Sequence, residues 1–285
     1  MPSVEPILAN LGVEITGVCG SDFVDPERAA ECAAAVERHG VVVYRGAFIA
    51  DHDLVAFSAL LGEVVVQPTG EHELPEIQTI TLDPDKAARH MLPYRQGNFW
   101  WHIDGSTQAV PQKATLLSAI DVADEGGDTE FATTYAAFDA LAPDDQTRIR
   151  DLDVVHSFAA AQRRTTPDPT PEQEAAWAKV PERVHPLVWQ RPDGRSSMLL
   201  GITADRVVGL GQDESDELLA RLLAWSTQSQ FVLRHRWRKG DLVIWDNPGM
   251  LHRATPFEPT SRRLLHRTTL AGDVVGSPAG SSGRS

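Results

Sequence analysis

His102 and Asp104 stand two residues apart in the run Trp101-His102-Ile103-Asp104. In an extended segment side chains alternate, so this imidazole and carboxylate project to the same side. A second histidine from a distant strand would complete a set of two imidazoles and one carboxylate, and His252 follows just beyond a strand end. Such a facial set leaves three adjacent coordination positions open and suits non-haem Fe(II). Ten His and 23 Asp in 285 residues supply roughly 0.8 His-x-Asp triplets by chance, so the pair gains weight only from its company. Asn98-Phe99-Trp100-Trp101 gives it an aromatic wall, and Thr129 of Gly126-Gly127-Asp128-Thr129 lies 27 residues after His102. Arg263 and Arg267 follow His252 by eleven and fifteen positions.

The two arginines fall in a strand expected over 263–270, where alternation puts both on one face about 13 Å apart. That separation suits two anions at two depths of one cavity. From Arg234 to Arg267 eight Lys/Arg face three acids, a balance of +5 in a chain of net charge −14, so the remainder carries −19. A positive island in an acidic protein draws small anions toward itself. The plainer reading is an exposed strand whose arginines are solvated.

These residues need a scaffold. A chain of 285 residues with 42% hydrophobic and 23% charged residues can bury a large core. Asp25-Pro26 opens a helix that Gly40 stops, and Val41–Tyr44 is a strand. Asp51 reads as the N-cap of a second helix through Leu61. Strands are expected over 77–82, 114–120, 185–189, 197–200, 231–237 and 242–245, and helices over 134–141, 143–151 and 213–229. Segments 83–98 and 157–184 read as lid insertions in a single domain over 1–275, and 276–285 as a disordered tail. Many short strands with helices set early and in insertions imply a mainly β, antiparallel double-sheet core. No apolar run reaches the length of a membrane span, and the acidic balance excludes nucleic acid as a partner. Cys19 and Cys32 form no CxxC pair, so neither a disulfide framework nor a zinc knuckle is expected and a reducing cytoplasm fits.

The spacing of these motifs resembles the Fe(II)/2-oxoglutarate dioxygenases typified by taurine and 2,4-dichlorophenoxyacetate dioxygenase. The matching stretches are 101–104 (WHID), 126–131 (GGDTEF), 234–247 (RHRWRKGDLVIWDN), 251–254 (LHRA) and 262–270 (RRLLHRTTL). With VVVYRG and LLGEV near the N-terminus they span nearly the whole chain. The resemblance implies a double-stranded β-helix, or jelly roll, and Fe(II) held by His102, Asp104 and His252. It also implies Thr129 and Arg263 on the far carboxylate of 2-oxoglutarate, with Asn98 and Arg267 on the substrate side. The implied reaction consumes O2 and 2-oxoglutarate, releases succinate and CO2, and hydroxylates an unactivated C–H bond. Asp104 is present, which implies oxygenation rather than halogenation.

Taurine dioxygenase holds its sulfonate with a histidine and a tyrosine where this chain has Gln67 and Gly70. The segments 126–131, 234–237 and 199–210 lean instead toward the phenoxyacetate branch. A small aryl- or alkyloxy carboxylate is therefore the first expectation for the substrate, and a sulfonate or alkyl sulfate ester the second. A homo-oligomer is expected by analogy with the family. Two other classes use the same residues: a zinc hydrolase on a cupin-like barrel, and a non-catalytic anion-binding protein. The hydrolase has no use for Thr129 plus Arg263, and the intact set of His102, Asp104 and His252 speaks against the bare anion binder.

Overall fold

The computed structural model describes residues 2–66, 72–86, 96–191 and 193–272. In chain order the elements begin with β1 (Ser3–Leu8), β2 (Leu11–Thr16), α1 (Pro26–His39), β3 (Val41–Tyr44), α2 (Asp51–Leu61) and β4 (Gln78–Ile80). Next come β5 (Ala114–Asp121), β6 (Thr129–Thr133), α3 (Thr134–Asp139), α4 (Pro143–Ile149), β7 (Asp153–His156), α5 (Phe158–Thr165) and α6 (Pro171–Trp177). The rest is β8 (Arg183–Pro186), β9 (Val188–Gln190), β10 (Ser196–Met198), β11 (Ala204–Val207), α7 (Gln212–Ser226), β12 (Val232–His235), β13 (Leu242–Asp246), β14 (Met250–Ala254) and β15 (Leu264–Leu270).

A seven-stranded sheet runs β1-β2-β3-β13-β5-β15-β4, and a three-stranded sheet runs β12-β6-β14. Val41, Val43, Leu117, Val243, Trp245 and Leu265 of the large sheet pack with Phe131, Leu233 and Met250 of the small one. These facing sheets are the two walls of the jelly roll. The other face of the large sheet, carrying Val42, Tyr44, Leu116, Leu242 and Ile244, is covered by α1 and α2. Burial on both faces explains why Val41–Tyr44 and Leu242–Trp245 are apolar throughout rather than alternating. Inward positions of the central strands therefore face the space between the sheets, and outward ones face helices.

Most expected elements form, with ends shifted by their partners. The 231–237 strand stops at His235, because β6 begins at Thr129 and offers no partner beyond it. The 263–270 strand starts at Leu264, with its register against β5 broken between Leu264 and Leu265. Asp51 is the first residue inside α2 and Ala50 is the N-cap; the Asp51 carboxylate bonds His266 and His72 instead. Strands β1, β2, β6, β7, β11 and β14 were not anticipated, so His252, expected just beyond a strand end, lies inside β14. The 157–184 insertion folds as α5 and α6, tied by Arg163–Glu174 and by Arg164 to the carbonyls of Ile202 and Ala204. Positions 67, 70, 87–95 and 276–285, on which part of the first expected lid, the two taurine-site comparisons and the expected tail fall, lie outside the described residues. Among the described residues no helix is long and apolar enough to cross a membrane.

Candidate active site

His102 and Asp104 lie in the connection between β4 and β5, and His252 is the third residue of β14. An isolated antiparallel bridge joins His102 to His252, so the two distant segments meet backbone to backbone. The ligand atoms of His102, Asp104 and His252 all lie within 4.8 Å of one another. His102 Nε2 is 3.8 Å from Asp104 Oδ1, and His252 Nε2 is 3.6 Å from Asp104 Oδ2. Both separations exceed a hydrogen bond, and they suit three donors spaced around one ion.

The tautomers agree with that use. His102 Nδ1 is 2.8 Å from the Trp100 carbonyl, which can only accept, so the proton sits on Nδ1 and Nε2 keeps its lone pair. Burial, then neighbouring His102, lowers the His252 pKa to about 3, so its ring is neutral and able to ligate. Asp104 is buried, which opposes its charge, yet Arg267, His252, His102 and the Thr115 hydroxyl together hold its carboxyl well below the usual range. The set is anionic and open.

A second cluster of the same composition, Asp51, His72 and His266, shows the contrast. There the Leu74 N–H donates to His72 Nδ1 at 3.0 Å, so Nε2 carries the proton and points at Asp51 Oδ2 3.2 Å away. His266 Nδ1 sits 2.7 Å from Asp51 Oδ1. The carboxylate is already clamped by two imidazole N–H groups. His72 has no free lone pair to offer a metal.

A cleft lined by Asn98, Phe99, His102, Leu117 and His252 opens onto the first set. All four further expected residues, Thr129, Arg263, Asn98 and Arg267, line it. Arg263 is 3% exposed. Its Nε donates to the Gly127 carbonyl at 3.2 Å and its guanidinium lies 4.7 Å from the centre of the Phe257 ring. Among the described residues no carboxylate pairs with it, Asp128 acting only at longer range, and burial pulls its pKa down to about 10. A buried cation left so costs several kcal/mol, which an entering carboxylate would offset. Thr129 accepts from Trp237 Nε1 at 3.0 Å. Because an indole only donates, the Thr129 proton is left for the cleft. Arg267 reaches Asp104 Oδ1 at 3.4 Å.

Residues the sequence reading did not single out complete the site. Arg253 lies 4.5 Å from the Trp101 ring centre and pairs with Glu130, bracing the residue before His102. Phe257 floors Arg263, and Trp237 orients Thr129. The adjacency of Arg253 to His252 was the one available signal.

The chain matches the family model "Taurine catabolism dioxygenase TauD, TfdA family" over residues 3–269. It is 36% identical over 258 residues to the alpha-ketoglutarate-dependent 2,4-dichlorophenoxyacetate dioxygenase of Cupriavidus pinatubonensis, covering 86% of this chain and 89% of that one. It is 31% identical over 289 residues to the alpha-ketoglutarate-dependent sulfate ester dioxygenase of Pseudomonas putida, covering 99% and 92%. Among solved structures it is similar to AAD-2 in complex with Mn(II) and N-oxalylglycine, with a TM-score of 0.78, 27% identity and coverage of 95% and 98%. A taurine dioxygenase from Burkholderia xenovorans superposes with a TM-score of 0.79 at 29% identity, covering 98% and 92%. A match over nearly the full length, on a chain whose histidines and carboxylate meet as described, places this protein in the TauD/TfdA family of dioxygenases.

Proposed function

We propose that the protein is a non-haem Fe(II)- and 2-oxoglutarate-dependent dioxygenase that hydroxylates a small anionic organic substrate. The observation that carries this reading is the His102/Asp104/His252 set together with a buried Arg263 that meets no carboxylate among the described residues, in the cleft that His102 and His252 line. His102, Asp104 and His252 would hold Fe(II), and Thr129 and Arg263 would take the far carboxylate of 2-oxoglutarate. When bound, these groups and O2 supply the oxidation: 2-oxoglutarate leaves as succinate and CO2, and one oxygen atom enters a substrate C–H bond as hydroxyl.

The chain's own part is positioning. The Arg263 fork matches a carboxylate in two parallel hydrogen bonds, and Thr129 adds one directed donor. Leu82, Phe99 and Leu117 give the cleft an apolar wall that sheds water, while Asn98 and Arg267 present polar groups beside it. We assign the substrate side to Asn98 and Arg267. An apolar wall with a cation nearby suits a hydrophobic group carrying one anionic end.

An aryl- or alkyloxy carboxylate is the first substrate class, supported by the relative named for 2,4-dichlorophenoxyacetate. A sulfate ester is the second, supported by the relative named for that class, which aligns over nearly this whole chain. In either class, hydroxylation at the carbon bearing the ester or ether oxygen yields a product that splits in two. A panel of aryloxy carboxylates, sulfonates and sulfate esters, scored by substrate-stimulated succinate formation, tests the reading. No Fe(II)- and O2-dependent succinate from any of them would favour the zinc hydrolase or the anion-binding protein. We further read residues 1–275 as one domain with 83–98 and 157–184 as lids, acting in the cytoplasm as a homo-oligomer. Light scattering on the purified protein checks the last point.

A further inference from the structure

Behind the open set lies a chain of buried polar groups that the assignments above leave unused. Trp245 Nε1 donates to Asn247 Oδ1 at 2.9 Å. Asn247 Nδ2 donates to Thr115 Oγ1 at 2.8 Å. Thr115 Oγ1 donates to Asp104 Oδ2 at 2.9 Å. Trp245 is 2% exposed, Asn247 and Thr115 are fully buried, and Asp104 is 9% exposed, so water does not stand in for any link. Strand register builds the first part, since Trp245 of β13 sits directly opposite Thr115 of β5. The Asn247 backbone N–H then anchors on the Lys113 carbonyl, bringing its side chain back over Thr115.

The direction of this chain is fixed at both ends. An indole N–H can only donate and an ionised carboxylate can only accept. Asn247 must therefore turn its oxygen to Trp245 and its amide nitrogen to Thr115, an assignment that follows from the partners alone. Thr115, accepting one hydrogen bond from Asn247, has its own hydroxyl proton free to donate to Asp104. Reversing the amide would set two donors against each other at Trp245 and draw the Thr115 proton away from Asp104. Inside a low-dielectric core such a misfit is costly.

We propose that Thr115, held in direction by Asn247 and Trp245, is a positioning residue that fixes the plane of the Asp104 carboxylate for the metal. The proposal rests on the reading of His102, Asp104 and His252 as the metal set. It assigns no contact with substrate or co-substrate. Its effect is on how well the carboxylate is poised before any metal arrives, and loss of such an outer partner weakens metal binding by about 10- to 100-fold.

The test is the Mn(II) affinity of the full-length apoprotein without 2-oxoglutarate, followed by the electron paramagnetic resonance of free and bound Mn(II). Thr115→Val removes the hydroxyl at nearly constant shape and is expected to weaken Mn(II) binding at least 10-fold. Thr115→Ser restores the hydroxyl and is expected to bind within about 3-fold of the parent. Should the valine variant not fold, Thr115→Ala makes no steric demand and carries the same expectation. Wild-type affinity in the hydroxyl-less variant, or equal loss in Thr115→Ser, overturns the proposal. Asp104→Ala separates the two levels. Unchanged Mn(II) binding there overturns the metal assignment itself, whereas loss there beside wild-type binding in Thr115→Val overturns only the positioning role.

Discussion

His102 and His252 exchange both of their backbone hydrogen bonds, the N–H of His102 reaching the His252 carbonyl at 3.1 Å and the reverse bond closing at 2.9 Å. Their ring centres are 4.2 Å apart. Residues 150 positions apart in sequence thus form one closed pair, and the two imidazoles are set by main-chain geometry rather than by side-chain packing alone. Gly201 presses on this pair from outside, with no room for a Cβ between it and the Trp101 carbonyl and His102 Cα. The backbone pairing holds the two imidazoles side by side.

A metal that binds the folded donor set and not the unfolded chain should stabilise the fold. Mn(II) at about 100 times its dissociation constant is expected to stabilise the protein by roughly 2.7 kcal/mol, raising the melting temperature by about 4–5 °C for a chain of this size. His252→Ala should abolish the shift. Calorimetry with and without Mn(II) measures it, and an equal shift in that variant would place the ion elsewhere.

The two arginines should separate in function. Arg263→Ala is expected to raise the 2-oxoglutarate requirement by roughly 10- to 150-fold, the equivalent of a charge-assisted pair of about 1.5–3 kcal/mol. Arg267→Ala should instead uncouple the reaction, with succinate formed faster than hydroxylated product, because Arg267 lines the cleft beside Asp104 and is proposed to face the substrate. Steady-state titration of 2-oxoglutarate and product counting decide. Equal loss of both properties in both variants would mean the arginines share one anion.

The residues with distinctive chemistry were legible in the sequence. His102, Asp104 and His252 were candidates by type and spacing, and Thr129 and Arg263 by the resemblance; all but Asp104 line one cleft, and Asp104 lies buried beside the two histidines. The outer partners were not legible, since Thr115 and Asn247 are common residues whose meeting depends on the β5–β13 register. The N-terminal hairpin escaped for another reason. All six residues of β1 are exposed, so no burial pattern marks it, and Pro6 argues against a strand except at a sheet edge, where β1 lies. The misread start of β15 has a similar origin, because a register break against a neighbour leaves no trace in local composition.

His156 makes the fold acid-sensitive. It is fully buried, Nδ1 lies 2.9 Å from Thr203 Oγ1 and Nε2 meets no partner among the described residues. Burial, with His185 adding to it, lowers its pKa to about 3. In the unfolded chain the same ring titrates near 6.5. Between these values the unfolded state binds the proton and the folded state does not, so stability is full above about pH 6.5 and falls as pH drops toward 3. The slope from this group approaches about 1.4 kcal/mol per pH unit. His156→Gln should remove that contribution in urea unfolding curves between pH 6 and 4. An unchanged slope would mean that the ring is protonated in the fold.

Gly127 offers a test of Arg263 that leaves its charge intact. Its φ is +69°, and a Cβ there would meet Arg263 Cδ and Nε at 2.9 Å, while its carbonyl accepts from that same Nε. Gly127→Ala would strain the backbone by about 1–2 kcal/mol and push the guanidinium off its ledge over Phe257. The expected result is a 2-oxoglutarate requirement raised by roughly 10-fold, as for losing part of the charged pair, with Mn(II) affinity within about 2-fold of the parent, because no metal ligand touches Gly127. Steady-state kinetics and Mn(II) titration on the same preparation read both. A variant with unaltered 2-oxoglutarate dependence would show that Arg263 reaches its anion without the Gly127 ledge, and a parallel loss of Mn(II) would show that the turn supports the metal set as well.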